Sequence, residues 1–178
     1  MNVFISGGAK NGKSMKAQTI ARDMATELGR PLYYIATMIP RDDEDHARIR
    51  RHLTERDGWG FETLEQGLDL TALLHRDDVD TSGVFLLDSV TALLDNEMFG
   101  GTGDVDNEAA SRVLRDTVEF AKSTGNTVFV SDYIYGEACT YGQFVEYYKR
   151  SLAAIDCALA EVCDQVLEVT VGQVEVWK

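Results

Sequence analysis

The chain has 178 residues, of which 44% are hydrophobic and 26% charged, with a formal net charge of −13. This length and composition are typical of one globular domain, which we expect to span residues 1–178. The negative charge argues against general nucleic-acid binding, because that activity relies on a basic surface.

Short apolar strands alternate with helical patterns along the chain, which predicts an α/β fold with a mostly parallel sheet. The predicted strands are Val3–Ser6, Leu32–Thr37, Phe61–Leu64, Val84–Asp88 and Thr127–Ser131. The predicted helices are Ser14–Leu28, Asp42–Arg56, Leu68–His75, Val90–Phe99, Asn107–Ser123 and Gln143–Cys163. Gly100–Asp106 and Asp132–Gly142 are expected to be irregular, and Val166–Thr170 with Val174–Trp177 is expected to form a closing antiparallel hairpin.

The first strand leads into residues 7–14 (GGAKNGKS), which satisfy the pattern GxxxxGK[ST]. Glycines allow the backbone N–H groups of such a loop to point at phosphate oxygens, and the following helix adds its positive dipole end. The lysine is expected at the β- and γ-phosphates and the serine hydroxyl on Mg²⁺. The sequence therefore predicts a three-layer P-loop NTPase fold that binds ATP or GTP through Gly7, Gly8, Ala9, Lys10, Asn11, Gly12, Lys13 and Ser14.

A P-loop enzyme also needs a carboxylate at the end of a second central strand. The strand Val84–Asp88 ends in one, so we expect Asp88 to orient Mg²⁺ directly or through water. The alternative is that Asp88 caps the N-terminus of the next helix, and the two roles are compatible.

The predicted helix Asp42–Arg56 carries Arg48, His52 and Arg56 at spacings of four residues, which places them on one face. Two guanidinium groups beside an imidazole favour its neutral, nucleophilic form and can hold phosphate oxygens. This pattern suits a histidine that attacks an α-phosphate and becomes nucleotidylated. A solvated charged face is the alternative that the residues alone leave open.

These motifs together resemble the bifunctional adenosylcobinamide kinase/adenosylcobinamide-phosphate guanylyltransferase family. The resemblance is carried by residues 6–14 (SGGAKNGKS), by Tyr34-Ile35-Ala36-Thr37, and by Arg48 followed by His52 and Arg56. It implies that ATP or GTP phosphorylates adenosylcobinamide, that GTP then guanylylates His52, and that the GMP passes on to give adenosylcobinamide-GDP. It also implies a homotrimer. The further nucleotide contacts that it implies are Ala36, Thr37, Met38, Leu53, Thr54, Glu55, Arg56, Glu65 and Asp88.

One segment departs from the family pattern, which has an Asn-Glu-Val-Gly stretch and a later Val-Pro after the fifth strand. Here the chain reads Ser131-Asp132-Tyr133-Ile134-Tyr135-Gly136-Glu137. Because this segment begins at the carboxyl end of a central strand, where ligands of open α/β sheets bind, the change affects acceptor recognition most. Tyr133, Tyr135 and Tyr141 are expected either to line an acceptor pocket or to pack between subunits.

Two further hypotheses stay open on the sequence: a kinase alone acting on a small alcohol, and a non-catalytic nucleotide-binding regulator. No general base for the kinase step is evident. We expect no membrane partner, because no apolar run is long enough to span a membrane and residues 1–6 lack the features of a secretory signal. The three cysteines show no CxxC spacing, so free thiols and a cytoplasmic location are expected.

Overall fold

The computed structural model describes residues 1–40, 42–43, 50, 54, 56–100, 105–136 and 139–178. Its centre is a seven-stranded sheet with the strand order β3-β2-β4-β5-β1-β6-β7. Strands β1 to β6 run parallel, and β7 pairs antiparallel with β6. The strands are β1 (Val3–Gly7), β2 (Leu32–Ala36), β3 (Glu62–Glu65), β4 (Val84–Asp88), β5 (Thr127–Asp132), β6 (Gln165–Thr170) and β7 (Gln173–Val176). The predicted α/β fold with its closing hairpin is confirmed.

The helices of the described residues are α1 (Lys13–Leu28), α2 (Val90–Phe99), α3 (Ala109–Thr124) and α4 (Gln143–Val162). Helix α1 ends at Gly29, which adopts a left-handed conformation and donates its N–H to Ala25 O, as expected for a C-terminal glycine. The predicted small helix Leu68–His75 is a 3₁₀ helix that begins only at Leu70. This helix has six residues, and 3₁₀ helices are usually short because their hydrogen-bond geometry is poorer than that of an α-helix.

The cap of α2 corrects one alternative. Asp88 does not cap this helix; Ser89 does, and its Oγ accepts the Ala92 N–H at 3.2 Å. Asp88 is the last residue of β4 and lies at the edge where the parallel strands end.

Apolar side chains cover both faces of the sheet, because alternate residues of each central strand point to opposite sides. Phe4, Phe85 and Phe129 join a core with α2, α3 and α4, while Ile5 and Leu86 join a second core with α1. This three-layer arrangement buries both faces of β1, β4 and β5 and leaves their carboxyl ends to form a site.

Some predicted segments fall partly outside the described residues. Only Asp42, Asp43, Arg50, Thr54 and Arg56 of the predicted helix 42–56 are described, as are Gly100, Val105 and Asp106 of the predicted loop 100–106. Beyond Asp132, the described part of segment 132–142 contains no helix or strand, as predicted. Within the parts of the chain that the structure covers, no helix is both long and apolar enough to cross a membrane.

Candidate functional site at the phosphate loop

The loop between β1 and α1 has the form that the sequence predicts. Helix α1 begins at Lys13, directly after Gly12, which has a left-handed φ of 89°. The Asn11 side-chain amide donates to Val169 O on β6 at 3.0 Å and so holds the loop against the sheet. A Cβ atom on Gly7 would lie 2.3 Å from the same Val169 oxygen. Only glycine at position 7 therefore allows β1 to turn into the loop beside β6.

Lys13 is buried, with 5% of its side chain exposed, and its ammonium group points back across the loop. Lys13 Nζ donates to Gly8 O at 2.6 Å and to Asp132 Oδ1 at 2.7 Å. Asp132 ends β5, which lies beside β1, and its own N–H donates to Thr91 Oγ1 of α2 at 2.9 Å. Lys13 thus has a carboxylate counter-ion from the neighbouring strand.

Asp132 was not predicted as a site residue, because the sequence analysis ended this strand at Ser131 and considered the following segment only for acceptor recognition. A signal for it exists. Residues 127–132 (TVFVSD) form an apolar strand that ends in a carboxylate, the same pattern that drew attention to Asp88. Since β5 lies between β4 and β1, Asp132 is nearer to the loop in the sheet than Asp88 is.

The Asp88 carboxylate is held by an aromatic hydroxyl. Tyr34 of β2 donates its O–H to Asp88 Oδ2 at 3.1 Å. The Arg56 guanidinium lies 3.5 Å from the centre of the Tyr34 ring, and Arg56 is itself only 7% exposed. Burial, followed by the charge of Asp88, raises the pKa of Tyr34, so its hydroxyl remains a donor. Arg56, Tyr34 and Asp88 therefore form a continuous series of contacts. It leads from Arg56, the last residue of the predicted helix 42–56, to Asp88 at the end of β4.

The predicted nucleotide segment Ala36–Met38 follows β2 and is fixed by hydrogen bonds. The Thr37 hydroxyl donates to Ser89 O at 2.9 Å and accepts the Ser89 N–H at 2.7 Å. The Asn96 side-chain amide donates to Thr37 O at 2.6 Å and to Gly67 O at 3.0 Å. The hydroxyl of Thr37 is thus occupied by hydrogen bonds to the backbone of Ser89. Asn96 links the segment that follows β2 to the segment that follows β3.

The structure brings some of the predicted site residues to one edge and leaves others untested. Lys13, Ser14 and Asp88 lie at or next to the carboxyl ends of β1 and β4, and Glu65 ends β3 opposite Ala36 in the register. Thr54 is exposed, and its hydroxyl donates to Arg50 O at 3.0 Å. Arg48, His52, Leu53 and Glu55 lie outside the described residues.

The family model described as cobinamide kinase / cobinamide phosphate guanyltransferase, named CobU, matches residues 3–176. The chain belongs to this family. Its members catalyse both a kinase and a guanylyltransferase reaction, so the resemblance noted from the motifs is confirmed, and with it the assignment of this chain as an enzyme of cobalamin biosynthesis.

Three relatives bear related names. The bifunctional adenosylcobalamin biosynthesis protein CobU of Escherichia coli is 36% identical over 107 residues, which are 60% of this chain and 55% of that protein. The protein of the same name from Salmonella typhimurium is 26% identical, and the match covers 97% of both chains. CobP of Pseudomonas aeruginosa is 29% identical over 97% of this chain and 94% of its own length.

Among solved structures, the flagellar accessory protein FlaH from Methanocaldococcus jannaschii superimposes with a TM-score of 0.53 at 10% sequence identity. The match covers 99% of this chain and 77% of FlaH. At this identity the likeness concerns the fold alone.

Proposed function

We propose that this chain phosphorylates adenosylcobinamide with ATP or GTP, and then transfers GMP from GTP through a guanylylated His52 to give adenosylcobinamide-GDP. The observation that carries the proposal is that one chain combines a family match over residues 3–176 with a phosphate loop whose lysine is buried and aimed across the loop. We also propose that residues 1–178 act as a single nucleotide-binding unit.

In the kinase step, the loop amides and Lys13 would stabilise the charge that builds up on the transferred phosphoryl group. The proposed nucleotide contacts are those predicted from the sequence. In the described part of the chain these are residues 7–14, Ala36, Thr37, Met38, Thr54, Arg56, Glu65 and Asp88. The contact of Arg56 with the Tyr34 ring supports a role for Arg56 at this edge of the sheet. Tyr34 contacts both the buried Arg56 guanidinium and the Asp88 carboxylate, so these two groups are separated by one side chain.

The residues at the loop fit a magnesium ion that arrives with the nucleotide. Within the described residues, no cluster of three His, Cys, Asp or Glu side chains could hold a metal by itself. Mg²⁺ does not require one, since it is usually held by one or two protein oxygens together with phosphates and water. Ser14 and Asp88 would supply a hydroxyl and a carboxylate oxygen, and the bound ion would neutralise charge on the phosphates.

The guanylyl transfer would depend on His52, with Arg48 and Arg56 holding the phosphates. Nucleophilic attack by the imidazole on the α-phosphate forms a P–N bond and releases pyrophosphate. The new phosphate of the acceptor then displaces the histidine and takes the GMP.

Labelled GTP tests this assignment without any acceptor. The protein is incubated with GTP labelled at the α-phosphate or, separately, at the γ-phosphate, and protein-bound label is measured. We expect acid-labile, base-stable label from the α-position only, lost in His52→Ala and kept in His75→Ala, since His75 is an exposed residue of the 3₁₀ helix. If no covalent label is found under any condition, the guanylylated histidine is ruled out and the hypothesis of a kinase without guanylyltransferase activity remains. Acceptor-dependent release of ADP or GDP would then separate that kinase from a non-catalytic nucleotide binder.

We further propose a cytoplasmic homotrimer. The surface that supports assembly is β7, an edge strand on which Val174 and Val176 are exposed and which is followed by the exposed Trp177. Exposed edges with apolar side chains are favourable surfaces for a second copy of a chain. Sedimentation equilibrium should give three times the 19.8 kDa of one chain, and a single-chain mass would contradict the trimer.

A further inference from the structure

A buried polar cluster lies on the sheet face beneath α4, immediately before the phosphate loop. On this face Phe4 of β1 is in register with Phe129 of β5, and both are buried in the apolar core. Two residues further on, Ser6 is in register with Ser131, so hydroxyls replace the aromatic rings. Asp156 of α4 packs near these serines and is only 3% exposed. The buried residues of α4 are three apolar side chains together with Lys149, Ser151 and Asp156, so the helix places a carboxylate close to these hydroxyls.

Three oxygen atoms of this cluster are buried without a hydrogen-bond partner among the described residues: Ser6 Oγ, Ser131 Oγ and Asp156 Oδ1. A buried polar atom left unpaired costs roughly 1–3 kcal/mol, so such a cluster calls for a reason other than stability. Burial raises the pKa of Asp156 to about 7, although the nearby hydroxyl groups of Ser131 and Tyr135 oppose the rise. A carboxyl group with this pKa exchanges a proton readily near neutral pH.

Tyr135 connects the buried carboxylate to the surface. Its hydroxyl donates to Asp156 Oδ2 at 3.0 Å, while 38% of the residue is exposed. The exposed side lines a cleft of about 330 Å³, whose walls also include Thr140, Lys149 and Arg150. A hydroxyl-bearing ligand in this cleft would lie against Tyr135, whose hydroxyl contacts Asp156.

The same segment runs along the phosphate loop. The Tyr133 N–H donates to Gly7 O at 3.3 Å, and Asp132 contacts the ammonium group of Lys13. Tyr135 follows Asp132 by three residues, so their Cα atoms lie at most about 11 Å apart. Burial is the largest cause of the raised pKa of Tyr135, and Ser6, one residue before the loop, is close enough to oppose that rise. Tyr135, which lines the cleft, is therefore close in the chain to two residues that contact the phosphate loop.

We propose that the Tyr135 hydroxyl takes the proton from the alcohol that receives the phosphoryl group and passes its own proton to the Asp156 carboxylate. This inference rests on the kinase function proposed above. The oxygen of the alcohol forms the new P–O bond, its O–H bond breaks, and the nucleoside diphosphate leaves. Tyr135 ends the step neutral, and Asp156 ends it as a carboxylic acid. After the product leaves, the proton returns to solvent by the same route.

The charged and titratable groups around Asp156 are consistent with this role. Asp132 of β5 raises the pKa of Asp156 but is itself paired with Lys13. Tyr148 of α4 stays neutral, because burial, followed by the charges of Asp95, Asp132 and Asp156, raises its pKa. Binding of phosphates to Lys13 would draw the ammonium away from Asp132. The freed negative charge would then increase the affinity of Asp156 for a proton when a substrate is in place.

The test is the pH dependence of phosphoryl transfer from ATP to adenosylcobinamide. For the wild type, kcat/KM should fall about tenfold per pH unit below a pKa near 7, because the free enzyme must hold Asp156 ionised. In Asp156→Asn, kcat/KM should be lower and should no longer fall at acid pH; we call this fall the acid limb of the profile. In Asp156→Glu, part of the activity and part of the acid limb should return. Titration of the nucleotide itself is common to all variants, so the difference between the profiles reports on Asp156.

Tyr135→Phe tests the other half of the relay. We expect kcat to fall roughly 100-fold or more while the Kd for ATP, measured directly, stays within about twofold. Tyr147→Phe is the matched control: it also loses one tyrosine hydroxyl, but that hydroxyl donates to Asn107 O away from the cluster, and its kcat should stay within about threefold. A wild type that transfers nothing to adenosylcobinamide overturns the proposed function and the relay together. An active wild type with Tyr135→Phe at full rate, or with the acid limb intact in Asp156→Asn, overturns the relay alone.

Discussion

The ammonium group of Lys13 lies 2.7 Å from the carboxylate of Asp132, although the two residues are 119 positions apart in the chain. The pair joins the first turn of α1 to the end of β5. If Lys13 receives the phosphates as proposed, the nucleotide would have to compete with a protein carboxylate for the lysine. The Lys13–Asp132 pair would then influence how tightly nucleotide binds.

Removing the competing charge should tighten binding. We expect Asp132→Asn to lower the Kd for a non-hydrolysable GTP analogue about three- to tenfold, or about 1 kcal/mol, because Asp132 is partly exposed and its charge is partly screened. Isothermal titration calorimetry at fixed pH and ionic strength measures this change. Asp77→Asn, at an exposed position, changes the net charge equally and should leave the Kd unchanged. Unchanged or weaker binding in Asp132→Asn would show that the carboxylate does not compete.

The approach of β1 to β6 leaves no room for a side chain at position 7. In Gly7→Ala the new Cβ would meet Val169 O at 2.3 Å. Because the Cβ position is fixed by the backbone of β1 and the oxygen belongs to the backbone of β6, a strand must shift. We expect a loss of about 2–4 kcal/mol in the free energy of unfolding together with weaker nucleotide binding. Urea denaturation provides the measurement. Gly136→Ala, whose Cβ has open space around it, should change stability by less than about 0.5 kcal/mol. Equal stability of the two variants would refute the close approach.

The buried carboxyl of Asp156 should make stability depend on pH. Its pKa in the folded protein is about 7 against an ordinary 3.8, so the folded state keeps a proton that the unfolded state loses. Stability from this group is therefore present below pH 4 and is lost as the pH rises towards 7, by an amount on the order of 4 kcal/mol.

Asp156→Asn removes this dependence. The free energy of unfolding of the variant, relative to the wild type, should rise between pH 4 and 7 and level off above it. Chemical denaturation at a series of pH values gives the difference directly. A difference that is constant across this range would show that Asp156 ionises normally in the folded protein. The measurement needs no substrate and is independent of the kinase assay.

Asn96 should be important for stability although it touches no expected substrate. Its side-chain amide donates to Thr37 O and Gly67 O, and it is only 4% exposed. Asn96→Leu conserves the size of the side chain but leaves two carbonyl groups without this donor, which should cost about 2–4 kcal/mol. Asn107→Leu, at an exposed position, is the control and should change stability little. Thermal unfolding compares the two, and a stable Asn96→Leu protein would contradict the assigned role.

The sequence predicted the order of strands and helices well because each element carries its own local signal. Val84–Asp88 is a continuous apolar run, Gly29 ends α1, and the period of apolar residues marks α4. The phosphate loop was likewise visible, because its glycines, lysine and serine are adjacent in the chain and their spacing alone specifies the geometry.

What the sequence analysis missed depends on which strands become neighbours. Lys13 and Asp132 meet because β5 is inserted between β4 and β1, and no local pattern states this order. Tyr135 and Asp156 meet because α4 packs back over the ends of β1 and β5, which turns one polar residue of an amphipathic helix into a buried proton acceptor. The alternative role of Asp88, as the cap of α2, was wrong because the cap depends on side-chain direction: Ser89 Oγ accepts the Ala92 N–H instead.

The sequence by itself therefore determined the fold class, the phosphate loop and the family, since each depends on residues close together in the chain. The tertiary structure alone decided the partner of Lys13 and the surroundings of Asp156. A charge changes its chemistry through neighbours within a few ångströms and through the water removed around it, and in this protein those neighbours come from strands and helices far apart in sequence.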